Sequence, residues 1–295
     1  MSTSQNNARQ WQSPLYADHA LVGKIWDSRS DQFITAEDLL VRLDGVGYLL
    51  LGEKHDNPDH HALQLRVLDY VLASSNVSNV SFEMMNSAQQ PLLAGLSTRL
   101  QSSLDELNDY LEWDNDGWDW NFYGPLVRSA ILSGSTISAA NISNEEMMQV
   151  YGEPTPANIA DVLDAATMAA LEKDIDESHC GMLPESQFPA MVRVQQARDF
   201  AMAQSLAEVS SQQTQVLIAG NYHIRRDLGV PNYILSARPD LGSQQIVSLA
   251  FIEVAQSSTD PADYLQQFGS TKAYDYIWFT PAISDEDYCA SLSQQ

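Results

Sequence analysis

The chain has 295 residues, of which 44% are hydrophobic, enough for one large domain or two small ones. Its 15 Lys and Arg stand against 39 Asp and Glu, so the formal net charge is 15 − 39 = −24, which excludes a nucleic-acid-binding surface and disfavours binding to an anionic membrane. No apolar run is long enough to span a bilayer, and the first residues show no export signal. The two cysteines, Cys180 and Cys289, form no framework and no metal pair, and are either free or joined by one bridge.

The first part of the chain predicts a flexible start followed by a helix and a strand. Residues 1–17 are polar and aperiodic, so we expect them to be flexible. An extended stretch follows at 21–26, and Thr35, with an acid three residues later, caps a helix that runs to about residue 43. The apolar run 45–51 predicts a strand that is buried on both faces.

The middle of the chain continues the alternation. A helix begins at Pro58, a strand covers 77–83, and a helix-rich segment follows at 87–113. Residues 125–133 predict a further helix and 135–140 a third strand.

The last part repeats the pattern after a helical insertion at 153–180. A long helix covers 188–206, and further strands are predicted at 215–219, 245–254 and 274–279. Alternating strands and helices indicate an α/β fold whose mainly parallel sheet is covered on both faces by helices. We expect one domain over residues 18–295, with helical excursions at about 86–130 and 153–205.

Polar residues follow several of these strands at their carboxyl ends, where parallel sheets bind their ligands. Gly52-Glu-Lys-His55 follows one strand and Gly220-Asn-Tyr-His223 follows another, so two Gly-x-x-His turns occupy equivalent positions. Glu83 ends a third strand. We therefore expect these side chains to meet at one edge of the sheet.

This set of residue types suits a divalent metal ion. Imidazole nitrogens and carboxylate oxygens are common ligands, and three of them leave an open position for water or substrate. The candidate metal ligands are Glu53, His55, Glu83 and His223. The alternative is that they are hydrogen-bonded polar residues at the starts of loops.

Three other histidines are weaker candidates. His61 lies on the apolar face of its helix, where a satisfied core histidine competes with a ligand role, and His60 is expected near solvent. His179 lies in a turn that is either a loop over the site or a plain surface loop.

Two further patterns leave alternatives open. Asp199 interrupts the apolar stripe of helix 188–206, and Arg225 and Arg226 are the expected partners, in a structural salt bridge or in a catalytic role. An aromatic stretch between Trp113 and Tyr123 is either a core patch or an exposed apolar wall for a flat ligand or a partner subunit.

Together, several segments resemble the ChaN-like haem-binding uptake lipoproteins of the TIKI superfamily. The match spans roughly residues 20–290. The segments that carry it are Leu51–His61, Phe82–Met84, Tyr123–Pro125, Ala140–Ile142, His179–Pro184, Gln195–Asp199 with Met202–Ala203, Gly220–Pro231, Trp278–Pro281 and Cys289.

The resemblance implies haem bound at a dimer interface through a tyrosine. The candidates are Tyr110, Tyr123 and Tyr151, while Tyr222, His61 and His179 are further haem-binding candidates. It also implies cations for the haem propionates, for which Lys54, Arg225 and Arg226 are available. Ala282 stands where a basic residue is expected.

The superfamily also includes metal-dependent hydrolases, which provide the alternative function. In that case Glu53, Glu83, Arg225 and Arg226 would be catalytic and a divalent ion would sit in the His55/His223 pocket. A scaffold without chemistry is the third possibility.

The family's lipoprotein signal and acylated cysteine are absent from this chain, so we expect either a trimmed or an unanchored protein, with trimming favoured. A full-length protein with that signal would be periplasmic or anchored to the outer membrane. The partners implied are haem or another iron-porphyrin, a second copy of the chain, and an outer-membrane haem receptor. The predicted function is haem or iron binding in iron acquisition.

Overall fold

The computed structural model describes residues 11–206, 213–286 and 289–290. Its strands are β1 (Ile25–Asp27), β2 (Gln32–Ile34), β3 (Tyr48–Glu53), β4 (Val77–Asn86), β5 (Thr136–Asn141), β6 (Thr214–Gly220), β7 (Ile246–Glu253), β8 (Gln267–Phe268), β9 (Thr271–Lys272) and β10 (Tyr276–Thr280).

The α-helices within the same ranges are α1 (Ala36–Leu43), α2 (Pro58–Ser74), α3 (Gln90–Leu93), α4 (Leu104–Tyr110), α5 (Trp120–Ser133), α6 (Asn144–Gly152), α7 (Ala157–Ala160), α8 (Ala165–Ser178), α9 (Phe188–Ser205) and α10 (Val230–Ala237). Short 3-10 helices cover Ser87–Gln89, Leu96–Thr98, Glu185–Gln187, Ser243–Gln245 and Pro261–Tyr264. None of these helices is both long and apolar enough to cross a bilayer.

Eight strands form one sheet in the order β2-β1-β10-β7-β3-β6-β4-β5. The six strands from β10 to β5 are parallel, whereas β1 runs antiparallel to β10 and β2 antiparallel to β1. The predicted α/β fold with a mainly parallel sheet is therefore confirmed. The crossover helices return each chain segment to the same end of the sheet, so the carboxyl ends of the parallel strands share one edge.

Both faces of the sheet are buried, as the alternation within β3 shows. Leu49 and Leu51 belong to the core on one face, with side chains from α1, α2 and α5. Tyr48 and Leu50 belong to the core on the other face, with side chains from α8, α9 and α10. A strand buried on both faces is continuously apolar, which is why 45–51 has that composition.

Local signals placed most elements correctly. Thr35 and Asp38 form the predicted capping box of α1, and Asn57 caps α2 with Pro58 at its first position. β2 and the β8–β9 ribbon were not predicted, because each is only two or three residues long. α5 begins at Trp120, before the predicted 125, because the Asp119 side chain caps it.

The expectation of a flexible start is wrong for residues 11–17. The backbone N–H groups of Gln12 and Ser13 donate to the Asp59 carboxylate, and Ser13 is buried. Leu15 forms a β-bridge with Ala282. Tertiary hydrogen bonds hold this segment in place. No sequence pattern within residues 11–17 predicts these hydrogen bonds. Residues 1–10 lie outside the described part of the chain.

Candidate functional site

The two Gly-x-x-His turns lie side by side at the carboxyl edge of the sheet. β3 and β6 are neighbours in parallel register, and Glu53 pairs with Gly220. Both turns line a cavity of about 450 Å³, which we call the edge pocket; its lining residues are Glu53, Lys54, His55, His60, Gly220, Asn221, Tyr222, His223, Ile252 and Glu253. The sequence-based expectation that these turns meet is confirmed.

In the first turn, Glu53 holds the ring of His55. Nδ1 of His55 lies 2.5 Å from Oε1 of Glu53, and the hydroxyl of Tyr123 donates to the same oxygen over 3.1 Å. Glu53 is 2% exposed, and its Oε2 has no hydrogen-bond partner among the described residues. A buried carboxylate that receives the Nδ1 proton fixes the tautomer and aims Nε2 away from itself.

The side chain of His55 remains accessible from the pocket. It is 45% exposed, and its Nε2 has no hydrogen-bond partner among the described residues. Burial by itself would lower the pKa of His55, but the hydrogen bond to Glu53 and the charges of Glu53 and Glu83 outweigh it and raise that pKa. The ring of Trp118 meets His55 edge-on, with ring centroids 4.7 Å apart.

In the second turn, His223 bridges two buried carboxylates. Its Nδ1 lies 2.6 Å from Oδ1 of Asp199, and its Nε2 lies 3.3 Å from Oε1 of Glu83. The other oxygen of Glu83 accepts the N–H of Gly220 over 2.7 Å, and Gln195 on α9 also contacts His223. Glu83 lies within β4, which continues to Asn86 rather than ending at residue 83.

The electrostatics of this triad favour a charged imidazolium between two acids. Burial would lower the pKa of His223, yet Glu83 and Asp199 raise it to about 10. Burial would raise the pKa of Glu83, yet His223 and, less strongly, His55 and the Gly220 N–H lower it to about 2. The pKa of Asp199 is raised, because burial outweighs the nearby imidazolium.

Gly220 separates the two carboxylate–imidazole pairs. A Cβ atom on Gly220 would lie 3.0 Å from Cε1 of His55 and 3.6 Å from Oε2 of Glu83, so the backbone passes closely between them. The four predicted metal ligands therefore converge, but as two hydrogen-bonded pairs. Within the described ranges, no group of three or more His, Cys, Asp or Glu side chains is arranged to hold a metal ion. The arrangement suits general acid–base chemistry at His55.

Asp199 is the site residue whose role the sequence misassigned. The polar interruption of an apolar helix stripe signalled it correctly, but the expected partners, Arg225 and Arg226, are wrong. Arg225 pairs with Asp227 over 2.8 Å and with Asp174 over 3.1 Å, and Arg226 pairs with Asp275 over 2.9 Å.

These pairs take both arginines away from the edge pocket. Arg225 is buried, and Arg226 lines a different cavity near the amino ends of the strands. The expectation that they meet an anionic ligand beside the two histidine turns is also wrong. Lys54 does line the edge pocket, with Nζ 3.0 Å from Oε2 of Glu253 and 3.4 Å from Oδ1 of Asp56.

The remaining histidines are structural or peripheral. His61 is 3% exposed, stacks on Phe122 at 4.6 Å and lies 3.0 Å from the carbonyl of His55, so it is a satisfied core residue. The expectation that His60 lies near solvent is wrong, because it is fully buried and contacts the Lys54 N–H and Thr280. His179 donates to the carbonyl of Ile175 and is not among the residues that line the edge pocket.

The candidate tyrosines differ in whether the hydroxyl forms a hydrogen bond within the protein. Tyr123 is fully buried and its hydroxyl donates to Glu53, and burial together with that charge raises its pKa, which disfavours the phenolate that a haem ligand requires. The hydroxyl of Tyr110 donates to the carbonyl of Leu92, and that of Tyr222 donates to Asp174. Tyr151 is half-buried on α6, and within the described ranges its hydroxyl has no hydrogen-bond partner.

The aromatic stretch is mainly a core patch, the first of the two alternatives that the sequence left open. Trp113 and Trp120 are buried against each other, with ring centroids 4.8 Å apart. Trp118 is half-buried and stands against His55 in the first turn. Most of the stretch is therefore core, and one ring borders the site.

Comparison with known proteins identifies the family of this chain and a similar solved structure. Residues 39–234 match a family model described as haem-binding uptake, Tiki superfamily, ChaN. The solved structure of cofacial heme binding to ChaN of Campylobacter jejuni is 26% identical and has a TM-score of 0.70, covering 86% of this chain and 95% of that one.

A second solved structure is more distant. A mutant of the erythromycin esterase EreC in its open conformation is 11% identical with a TM-score of 0.49, covering 86% of this chain and 95% of that one. A similarity this weak supports no inference about the function of this chain. None of the curated proteins matches this chain.

Proposed function

The chain belongs to the haem-binding uptake family of the Tiki superfamily that includes ChaN, and we propose that it binds haem and serves iron acquisition. The match to the family model over residues 39–234 is the observation that carries this proposal. The similarity to ChaN of Campylobacter jejuni over most of both chains supports it.

The mouth of the edge pocket has residues that fit the carboxylate groups of haem. Lys54 has a side chain that is 43% exposed, and the imidazole of His55 presents its unpaired Nε2 beside it. The raised pKa of His55 favours the charged form, which hydrogen-bonds strongly to a carboxylate. In this proposal Lys54 and His55 hold the propionates, and Trp118 offers an aromatic edge to the porphyrin.

Tyr151 is the candidate for the iron ligand. A phenolate is an established axial ligand for haem iron, and it requires a hydroxyl that the protein does not already use. Tyr110 and Tyr222 are engaged in hydrogen bonds, whereas the described residues offer no partner to the hydroxyl of Tyr151.

The cofacial haem binding in the Campylobacter jejuni protein supports the proposal of a homodimer. Two haems that lie face to face need two binding surfaces, and a second copy of the chain supplies the second one. We infer that haem joins two protomers.

An extracytoplasmic location is supported by the bridge between Cys180 and Cys289. Disulfides persist in the periplasm and are rare in the reducing cytosol. We propose that the protein acts in the periplasm or at the outer membrane, where an outer-membrane haem receptor would be its partner.

Titration with haemin tests the function directly. We expect a saturable Soret band together with the charge-transfer band of a high-spin ferric haem, and a rise in sedimentation coefficient as dimers form. Absence of any saturable spectral change at stoichiometric haemin would contradict the proposal.

Hydrolysis is the second candidate, favoured by the way that Glu53 orients His55 toward the pocket. His55 Nε2 and Glu83 are the groups that would hold a divalent ion or act on a bound water in that case. Metal analysis of the purified protein, compared with His55→Ala, separates the two candidates. A stoichiometric metal that is lost in the variant would favour the hydrolase, and metal-free protein that binds haemin would favour uptake.

A further inference from the structure

A second polar cavity lies at the opposite end of the sheet. It has a volume of about 440 Å³, and we call it the amino-edge pocket. Its lining includes Ser28, Arg29, Arg226, Lys272 and Asp275. Asp275 directly precedes β10, and Ser28 directly follows β1, which runs antiparallel to β10. The cavity is therefore separated from the edge pocket by the length of the strands.

Cations dominate the lining of the amino-edge pocket. Arg29, Arg226 and Lys272 line it together with one carboxylate, Asp275, so the lining has a charge of 3 − 1 = +2. Asp31, whose side chain is exposed and which is not part of the lining, pairs with Lys272 over 2.6 Å. In a chain with only 15 cations against 39 acids, three cations on the lining of one cavity are an unusual concentration of positive charge.

Arg29 has the donors that a bound anion needs. Its Nε forms long ion pairs with Asp27 at 3.7 Å and Asp275 at 3.9 Å, both beyond hydrogen-bond distance, so its guanidinium donates no hydrogen bond to a described residue. The guanidinium stacks on the ring of Tyr276 at 4.6 Å, which holds it in place. A stacked guanidinium with free N–H groups is prepared for bidentate contact with an oxyanion.

Ser28 supplies an independent sign of a missing partner. The residue is 1% exposed and lines the pocket, yet its Oγ has no hydrogen-bond partner among the described residues. Its backbone carbonyl already accepts a hydrogen bond from Lys272, so the side-chain hydroxyl is the group of Ser28 that lacks a partner. A buried hydroxyl without a partner is unfavourable, and a ligand oxygen beside it would satisfy it.

We propose that the amino-edge pocket binds a phosphate-class oxyanion, independently of haem. Arg29 and Lys272 contact the anion from the open side, the hydroxyl of Ser28 donates from the buried side, and Arg226 adds charge while it stays paired to Asp275. Free phosphate and the phosphate group of a small ester share this chemistry.

Calorimetric titration of the full chain with inorganic phosphate at low ionic strength tests the proposal. We expect saturable binding that Arg29→Gln weakens by at least about tenfold and that Ser28→Ala weakens by less. Arg66→Gln is the matched control, because it removes the same charge from an exposed position over Trp278. A parallel titration with glycerol 3-phosphate separates the two sources: tighter binding assigns an ester and equal binding assigns free phosphate.

Two results would overturn the proposal. The first is wild-type protein that shows no saturable phosphate binding, and the second is equal affinity in Arg29→Gln and Arg66→Gln. Lys272→Gln provides a second test if Arg29→Gln does not fold. The rise in melting temperature with phosphate is an independent readout, and it should be present in wild type and reduced in the variants.

Discussion

His55 is held by Glu53 through a contact of 2.5 Å between Nδ1 and Oε1, which leaves Nε2 as the ring atom offered to the edge pocket. The carboxylate is itself fixed by Tyr123 from α5. One buried acid therefore decides both the orientation and the charge of the most exposed polar group of the site.

Lys54 and His55 should both contribute to haem affinity. In this proposal each side chain forms a charged hydrogen bond to a propionate, which Lys54 makes from its 43% exposed side chain beside Glu253 and Asp56. Lys54→Gln and His55→Gln should therefore each weaken haemin binding by about tenfold or more. Lys24→Gln, which removes an equal charge next to Phe33, should leave the affinity unchanged. Soret titration measures all three. Wild-type affinity in both pocket variants would exclude this placement of the propionates.

Tyr151 should determine the spectrum of bound haem. In Tyr151→Phe the phenolate is absent, so the high-spin charge-transfer band should disappear and the affinity should fall. Tyr110→Phe is the matched control, because its hydroxyl already donates to Leu92. Absorption and electron paramagnetic resonance spectra provide the comparison. An unchanged spectrum in Tyr151→Phe would assign the ligand elsewhere.

His223 should be essential for stability. Its removal leaves Glu83 and Asp199 buried without a counter-charge, so His223→Ala should lower the free energy of unfolding by about 3–5 kcal/mol. His55→Ala should cost less, because it leaves one buried carboxylate rather than two, and Glu53 still accepts a hydrogen bond from Tyr123. Urea denaturation at neutral pH measures both. Equal losses in the two variants would contradict the assignment.

His60 should make stability fall in mild acid. Burial, with the charges of His61 and Lys54, lowers its pKa well below 6.5 in the folded protein. Below that pH the unfolded chain binds a proton that the folded chain does not, so the free energy of unfolding drops by up to about 1.4 kcal/mol per pH unit. Comparison of His60→Gln with wild type at about pH 7.5 and about pH 5.5 should show a shallower decline in the variant. A decline of equal steepness would count against this role.

The Cys180–Cys289 bridge should stabilise the fold substantially, because it closes a loop with a sequence separation of 109 residues. Reduction should lower the free energy of unfolding by about 2–5 kcal/mol. The double variant Cys180→Ser/Cys289→Ser should have the reduced stability from the outset and should not respond to reductant. Wild-type protein that is equally stable with and without reductant would contradict the prediction.

The sequence alone determined the sheet and the two histidine turns. The apolar runs before Gly52 and Gly220 predict buried strands, and parallel topology then requires Glu53, His55 and His223 to share an edge. These conclusions succeed because each rests on spacing within a few residues. The family resemblance comes from the same local segments.

Only the tertiary structure decided which charged groups meet. Asp199 contacts His223 rather than Arg225 or Arg226, although His223 and the two arginines lie in one short segment after β6. The fold turns one of these side chains toward α9 and the other two toward different acids, and sequence distance carries no information about that choice. The same reason explains why the burial of His60 and the anchoring of Ser13 on Asp59 were not predictable: a buried polar group is stabilised by whatever partner the packing supplies.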